Sequence, residues 1–371
     1  MELGQLNNLA ISVEKQGPSD VRKAIFPIFS TERPMNELKL KIEKLPKIEL
    51  HVHVEGATKP ETFFAIANRN KTKLPTDNLN EWKSFFTFKD FNHFIEVYAT
   101  AVSTLETIDD YAYIIENFYK HQLEQNIIYT EAFLSASFIV ERFDDKIAIE
   151  KIKRAIQEGE RKYGVKINFI PDIARENPSS QNKVVDFVIN GFQEGIFIGM
   201  GIGGMEVGFP PSLFVETFKK AQQSGLRTVA HAGEIVGPES IRGAVKDLNV
   251  DRIGHGITCL TDNNLGDYLR DNKVPMEVSP WSNYRTGAVK PDSMHPIRSM
   301  IEKGLCCTVN SDDPSMFSTS LTNEYLLLAS QGFSWSEILQ LNRNAVKAAF
   351  INKSEQNRLE NLLINFEHYE E

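Results

Sequence analysis

Eight short apolar runs punctuate the chain, and the stretches between them carry apolar residues at helical spacing. The runs are IELHVH (48–53), IIYTEAFL (127–134), INFIPDIA (167–174), IFIGMGI (196–202), RTVAHAG (227–233), RIGHGI (252–257), VPMEVSP (274–280) and CCTVNSDD (306–313). Short, nearly continuous apolar runs are what strands buried on both faces need, and their alternation with helical segments predicts βαβ units and a parallel sheet. Eight such units predict an α/β fold of the closed (β/α)8 TIM-barrel type in preference to an open sheet. No fixed-period repeat or Gly/Ser linker divides the chain, so residues 1–371 are expected to form one domain. Within it, residues 1–45 form a helical N-terminal extension, ending in the charged stretch Arg33 to Lys44 before Pro46, and 46–371 form the barrel. The connection 54–126 is far longer than one barrel helix needs, so a helical insertion is expected after the first strand. Its phenylalanines, Phe85, Phe86, Phe88, Phe91 and Phe94, serve either a substrate lid or the packing of a helix on the barrel.

Composition narrows the function. A net charge of −9 and a pI near 5.5 argue against a nucleic-acid footprint or an anionic membrane surface. No run of apolar residues is long enough to span a membrane, and the start MELGQLNNLAISVEKQGPSD lacks the basic end and apolar core of a secretory signal. A cytoplasmic monomer is therefore expected. The three cysteines, Cys259, Cys306 and Cys307, have no metal-ligand spacing and are expected reduced.

The chemistry lies in polar residues at the ends of the runs. His51 and His53 are spaced i, i+2, so in a strand both imidazoles face one way, toward the barrel mouth. His231 ends the fifth run and Asp312 the eighth. Three neutral imidazoles and one carboxylate suit zinc, with a position left open for water. Binuclear barrel hydrolases bridge their metals with a modified lysine on the fourth strand. The fourth run, IFIGMGIGG, has none, so one zinc per chain is expected. Glu234, three residues after His231, is placed to donate a proton over the substrate, and His255 to orient or deprotonate the water. Asp313 faces another side of the site. His295, placed in the helix after the seventh strand, acquires no role from the sequence.

PKIELHVHVEGA (46–57), TVAHAGE (228–234), RIGHGI (252–257), PWSNYRTGA (280–288) and VNSDDP (309–314) together resemble the adenosine deaminase family of amidohydrolase barrels, in that family's order and spacing. The resemblance implies that His51, His53, His231 and Asp312 bind zinc, with His53 also facing the substrate. It makes Glu234 the proton donor to purine N1 and His255 the base that orients the hydroxide. Asp313 contacts N7, and Gly204 offers its N–H to N3, where a larger residue would crowd the ring. The implied reaction is attack of zinc hydroxide on C6, then loss of ammonia.

Two features bear on the substrate. The family's HxHxD acid, which contacts ribose, is Glu55 here, as in adenine deaminases, and EVGFPPSLF (206–214) is also similar to those base-specific relatives. RIGHG, Gly204 and PWSNYRTGA instead match the nucleoside enzymes, and the Asn-, Lys- and Ile-rich composition is similar to malaria-parasite members of the family. Adenosine is therefore the expected substrate, with free adenine as the alternative and a non-catalytic metal-stabilised barrel as a remoter one. By the same resemblance Asp172, in PDIARE, takes over the ribose hydroxyls, and 5′-methylthioadenosine is also accepted. Nucleic-acid deaminases of the zinc type carry a CxxC motif that this chain lacks.

Overall fold

The computed structural model describes residues 32–370. Eight strands, β1 (Lys47–His53), β2 (Ile127–Leu134), β3 (Lys166–Ala174), β4 (Gly199–Gly203), β5 (Arg227–Ala232), β6 (Arg252–His255), β7 (Pro275–Val278) and β8 (Cys306–Val309), pair in parallel in chain order. Helices alternate with them, so the molecule is a (β/α)8 barrel. The last seam is closed by the segment after β8. Asp312 N–H donates to His51 O (3.1 Å), His53 N–H donates to Asp312 O (2.8 Å), and Leu50 N–H donates to Asn310 Oδ1 (2.9 Å). The eighth apolar run thus leaves the strand at Val309, and its NSDD tail becomes the clasp against β1.

Local sequence explains the boundaries. The helix Asp145–Tyr163 starts on the Asp144 side chain, which accepts from the N–H groups of Lys146 and Ile147, and ends on Gly164 in the left-handed region. Thr107 and Asp110 form a capping box at the head of Ile108–Glu124, and Ser334 and Glu337 form another at Trp335–Ala348. Register along β1–β2 shifts between Glu49 and Val52, an extra residue in β1 of the kind that re-aims side chains next to functional sites. Glu49 accepts from Ser311 and Gln122, whereas His51 meets the rings of His231 and His255.

The insertion after β1 is helical, with elements at Pro60–Asn70, Leu79–Phe85, Phe91–Ser103 and Ile108–Glu124. Its phenylalanines divide between the two expected uses. Phe85 and Phe86 pack on buried Trp82, and Phe88 packs on Phe94 and Phe317, while Phe91 and Phe94 also line the central cavity. Of the N-terminal extension, the helix Glu32–Lys44 is described. It packs against Leu321–Ser330, with Ile42 and Leu45 fully buried, and the earlier part of 1–45 lies outside the described residues. Within the barrel, Phe133, Ile170 and Val229 form an apolar layer. A charged layer of Glu131, Arg252 and Glu277 lies nearby, all three fully buried. Cys259, Cys306 and Cys307 are free thiols.

Candidate active site

The strand ends bring His51, His53, His231, His255 and Asp312 into one buried cluster. Nε2 of His53 lies 3.1 Å from Nε2 of His231, and Asp312 Oδ1 lies 3.4 Å from His51 Nε2 and 3.5 Å from His53 Nε2. A tetrahedral metal with bonds of about 2.0–2.1 Å holds its donors about 3.3–3.4 Å apart, close to these three spacings; the side chains that could share one ion are His51, His231, His255 and Asp312, and separately His53, Asp312 and Asp313. His51 Nε2 is buried with no hydrogen-bond partner, aimed at the same point. His255 faces the other carboxylate oxygen, its Nε2 3.8 Å from Asp312 Oδ2 and 3.6 Å from Glu234 Oε2. His51, His53, His231 and Asp312, the ligand set that the resemblance implies, thus all stand at this cluster together with His255. His255 and Asp312 both hold left-handed backbone, with φ of 61° and 63°. Non-glycine residues held this way cluster at functional sites.

The far nitrogens are fixed from behind. His231 Nδ1 lies 2.8 Å from Ile202 O and so must donate to it, which leaves Nε2 free to ligate. His51 Nδ1 lies 2.9 Å from Glu277 Oε2, and the other oxygen of Glu277 is 2.5 Å from Arg252 Nε. Arg252 also contacts Glu131 (2.5 Å), and its guanidinium covers the ring of Phe350 at 3.6 Å. Phe133 stacks on His53, with centroids 5.0 Å apart.

Without a metal, burial and neighbouring imidazoles hold His231 well below its ordinary pKa, and burial brings His53 down to about 3 and His255 to about 4. His51 differs. Burial opposes its charge, but the nearby carboxylates of Asp312 and Glu277 outweigh it and lift the ring to about 9. Burial also works against the Asp312 carboxylate, yet the histidines around it hold its pKa well below the usual range. A proton on His51 then stands where a cation would, so metal binding releases it.

The cavity above this cluster is lined by Glu234, Asp172, Glu176, Gly204, Asp313 and Phe94, among others. Burial, with the charges of Asp312 and Glu206, pushes Glu234 up to about 8. Its loop is held by Glu206, whose carboxylate accepts from the N–H groups of Gly233 (2.7 Å), Glu234 (3.1 Å), Ile235 (2.8 Å) and Val236 (2.9 Å). Asp313 Oδ1 is buried without a hydrogen-bond partner, and a side chain on Gly56 would occupy its place. Gly204 has φ of 82°, and a Cβ there would collide with the Glu176 carboxylate, which accepts from Met205 N–H (3.1 Å). Within the protein itself, glycine is therefore required at 204 by backbone and Glu176.

Glu55 is the site residue set apart. It is fully buried, its Oε1 accepts from Ser135 N–H (3.0 Å), Tyr98 OH lies 3.5 Å from Oε2, and it is not among the residues lining the cavity. Asp172 does line it, 3.9 Å from His53 Nδ1. His295 lies in the loop before Ile297–Glu302, not in a helix, and contacts Asn283 beside the site. Sequence reasoning missed Glu277, Arg252, Glu206 and Asn283. For Glu277 and Arg252 a signal existed, since a charged residue inside a strand buried on both faces requires a partner.

The profile of the adenosine deaminase family matches residues 46–366. The adenine deaminase of Wolinella succinogenes is 34% identical over 324 residues, covering 87% of this chain and 98% of that protein. The aminodeoxyfutalosine deaminase of Streptomyces avermitilis is 33% identical over 323 residues, 86% of this chain and 90% of that one. The crystal structure of an adenine deaminase from Arthrobacter aurescens superposes with a TM-score of 0.82 at 29% identity, over 87% of this chain and 99% of its own. Adenosine, the substrate expected from the motifs, finds less support in these relatives than free adenine does. The matched profile, the relatives and the barrel agree on one conclusion: this chain belongs to the adenosine deaminase family, whose fold is the amidohydrolase barrel.

Proposed function

We propose that the chain hydrolyses the exocyclic amine of free adenine, giving hypoxanthine and ammonia, at a single zinc bound by His51, His53, His231 and Asp312. Three imidazoles and a carboxylate are a donor set that zinc favours. Bound there, the metal supplies Lewis acidity and draws the pKa of water down to about 7.

The chain's own groups do the rest. Glu234, buried and pushed up to about 8, holds the proton that purine N1 takes as water adds at C6. His255 orients the water from the open side of the ligand set. Asp313, pushed well above the usual carboxylate range by burial and by Asp312, takes up a hydrogen bond with N7. Gly204 faces the ring at N3.

The observation that carries the choice of substrate is Glu55. The acid that meets ribose in the family's nucleoside enzymes is here bonded to Ser135 N–H, behind the cavity-lining Ser135 and Tyr98, and does not itself line the cavity. Among the described residues no lysine or arginine lines that cavity, and Asp172 and Glu176 do, so a 5′-phosphate is repelled. The test is ammonia release from adenine, adenosine and 5′-methylthioadenosine side by side. Adenine should give the largest kcat/KM, and a larger value for either nucleoside sinks the free-base reading.

One observation favours the nucleoside reading, namely that Asp172 stays in the cavity wall as an acceptor for hydroxyls. On that reading Asp172→Ala raises KM for adenosine and leaves adenine unaffected; equal KM for adenosine in the variant and the parent refutes it.

A further inference from the structure

A hydrogen-bond chain of fixed direction runs from the backbone into the active site. It starts at Ile297 N–H, which can only donate, and which donates to His295 Nδ1 (3.1 Å). A neutral His295 must then carry its proton on Nε2, which lies 3.1 Å from Asn283 Oδ1. The ring is 2% exposed, and burial brings its pKa down to about 3, so the neutral form is the one present. With its oxygen committed to His295, the Asn283 amide must turn its two N–H groups the other way. They meet His255 Nδ1 at 3.3 Å and Glu234 Oε1 at 3.4 Å. Asn283 is fully buried, so no water competes for these positions.

We propose that His295 is a positioning residue, acting through Asn283 to set which nitrogen of His255 and which oxygen of Glu234 carries the reactive proton. Because Asn283 donates to His255 Nδ1, the neutral ring carries hydrogen on Nε2, the nitrogen facing Asp312 Oδ2 and Glu234 Oε2. His255 therefore acts as a donor that orients the water, not as a base that removes its proton. Glu234 Oε1 receives the other Asn283 N–H (3.4 Å), which assigns the acid proton of Glu234 to Oε2, on the side of the ligand cluster. This rests on the deaminase reading above for its consequence in turnover, but the tautomer itself is independent of substrate.

The test is therefore read in two ways. In the metal-loaded wild type, long-range 1H–15N correlation, with His255→Gln to assign the ring, should give a pyridine-type shift for His255 Nδ1 and a pyrrole-type shift for Nε2. The reverse pattern overturns the proposal, whatever the protein deaminates. In kinetics, His295→Leu should lower kcat by about tenfold to a hundredfold, as for a displaced acid–base group, with KM and metal content unchanged. His295→Gln, which can still offer an N–H to Asn283, should recover most of that loss. A His295→Leu variant with wild-type kcat, or a His295→Gln variant as slow as it, overturns the proposal. If no purine is deaminated at all, the functional reading fails while the 15N result still decides this one.

Discussion

Glu277 never meets substrate, yet its replacement should loosen the metal. Its Oε2 holds His51 Nδ1 at 2.9 Å and its Oε1 holds Arg252 at 2.5 Å, all three side chains being fully buried. Partners that orient a ligating histidine are worth about 10–100-fold in metal affinity, or about 1.4–2.7 kcal/mol. Glu277→Gln keeps an acceptor for His51 but loses the charge, so its affinity should fall toward the tenfold end. Glu277→Leu removes the acceptor, and its affinity should fall toward a hundredfold. Stability should drop separately, because Arg252 loses one of its two carboxylates. Breaking a buried pair outright costs about 3–5 kcal/mol, and Glu131 remains to balance Arg252, so the lower figure applies. Competition against a chelator measures the affinity, and melting of the metal-free proteins measures the stability term alone. If Glu277→Leu binds metal within threefold of wild type, the idea that Glu277 aims His51 is wrong.

Other consequences are as direct. Glu234→Gln should keep its metal and lose turnover by about 10²–10⁴-fold, since one group supplies the N1 proton; an active variant would place the acid elsewhere. Elemental analysis should find one zinc per chain in the wild type and none in His51→Ala, and two per chain would exclude a mononuclear site. Stability of the metal-free protein should fall between pH 6.5 and 8. Burial pushes Glu49 and Glu55 up to about 7 and Glu234 and Glu324 up to about 8. In that window the fold keeps protons that the unfolded chain has released, so their contribution is present at low pH and lost as pH rises through 7 to 8. His51, lifted to about 9, adds to the same trend. The histidines held below their ordinary value, His53 and His255 among them, act oppositely but only below about 6.5. A melting temperature that rises across this window would contradict the assignment.

The sequence carries the barrel openly because each strand must be buried on both faces, which leaves a run that no surface strand would show. The proposed ligands were legible because His51, His53, His231 and Asp312 stand where such runs end. The sequence does not carry β4 as well. Gly199–Gly203 is offset from the run 196–202, because Ile196 and Phe197 are apolar yet precede the strand, with Phe197 making only a single bridge to Phe169. Glu55 was placed by likeness to an aspartate one methylene shorter, and the sequence gives no sign that this extra reach ends on Ser135 N–H, eighty residues on. Asn283 and His295 were invisible as a pair, since their relation depends on how the loop before Ile297 folds back.

The seam between β1 and the segment after β8 has a consequence for the unloaded protein. Two of the proposed ligands, His51 and His53, stand on one side of that seam and Asp312 on the other, joined by the hydrogen bonds of His53 N–H and Asp312 N–H. An ion bound to all three would fasten the first strand of the barrel to the end of the last, across some 260 residues of chain. A ligand at a hundred times its dissociation constant adds about 2.7 kcal/mol to the state that binds it. Here that increment falls on the one joint of the ring that lacks a continuous strand ladder. Stripped of metal, the barrel should part along this line before any other, with the amide protons of His53 and Asp312 exchanging ahead of those between β2 and β3.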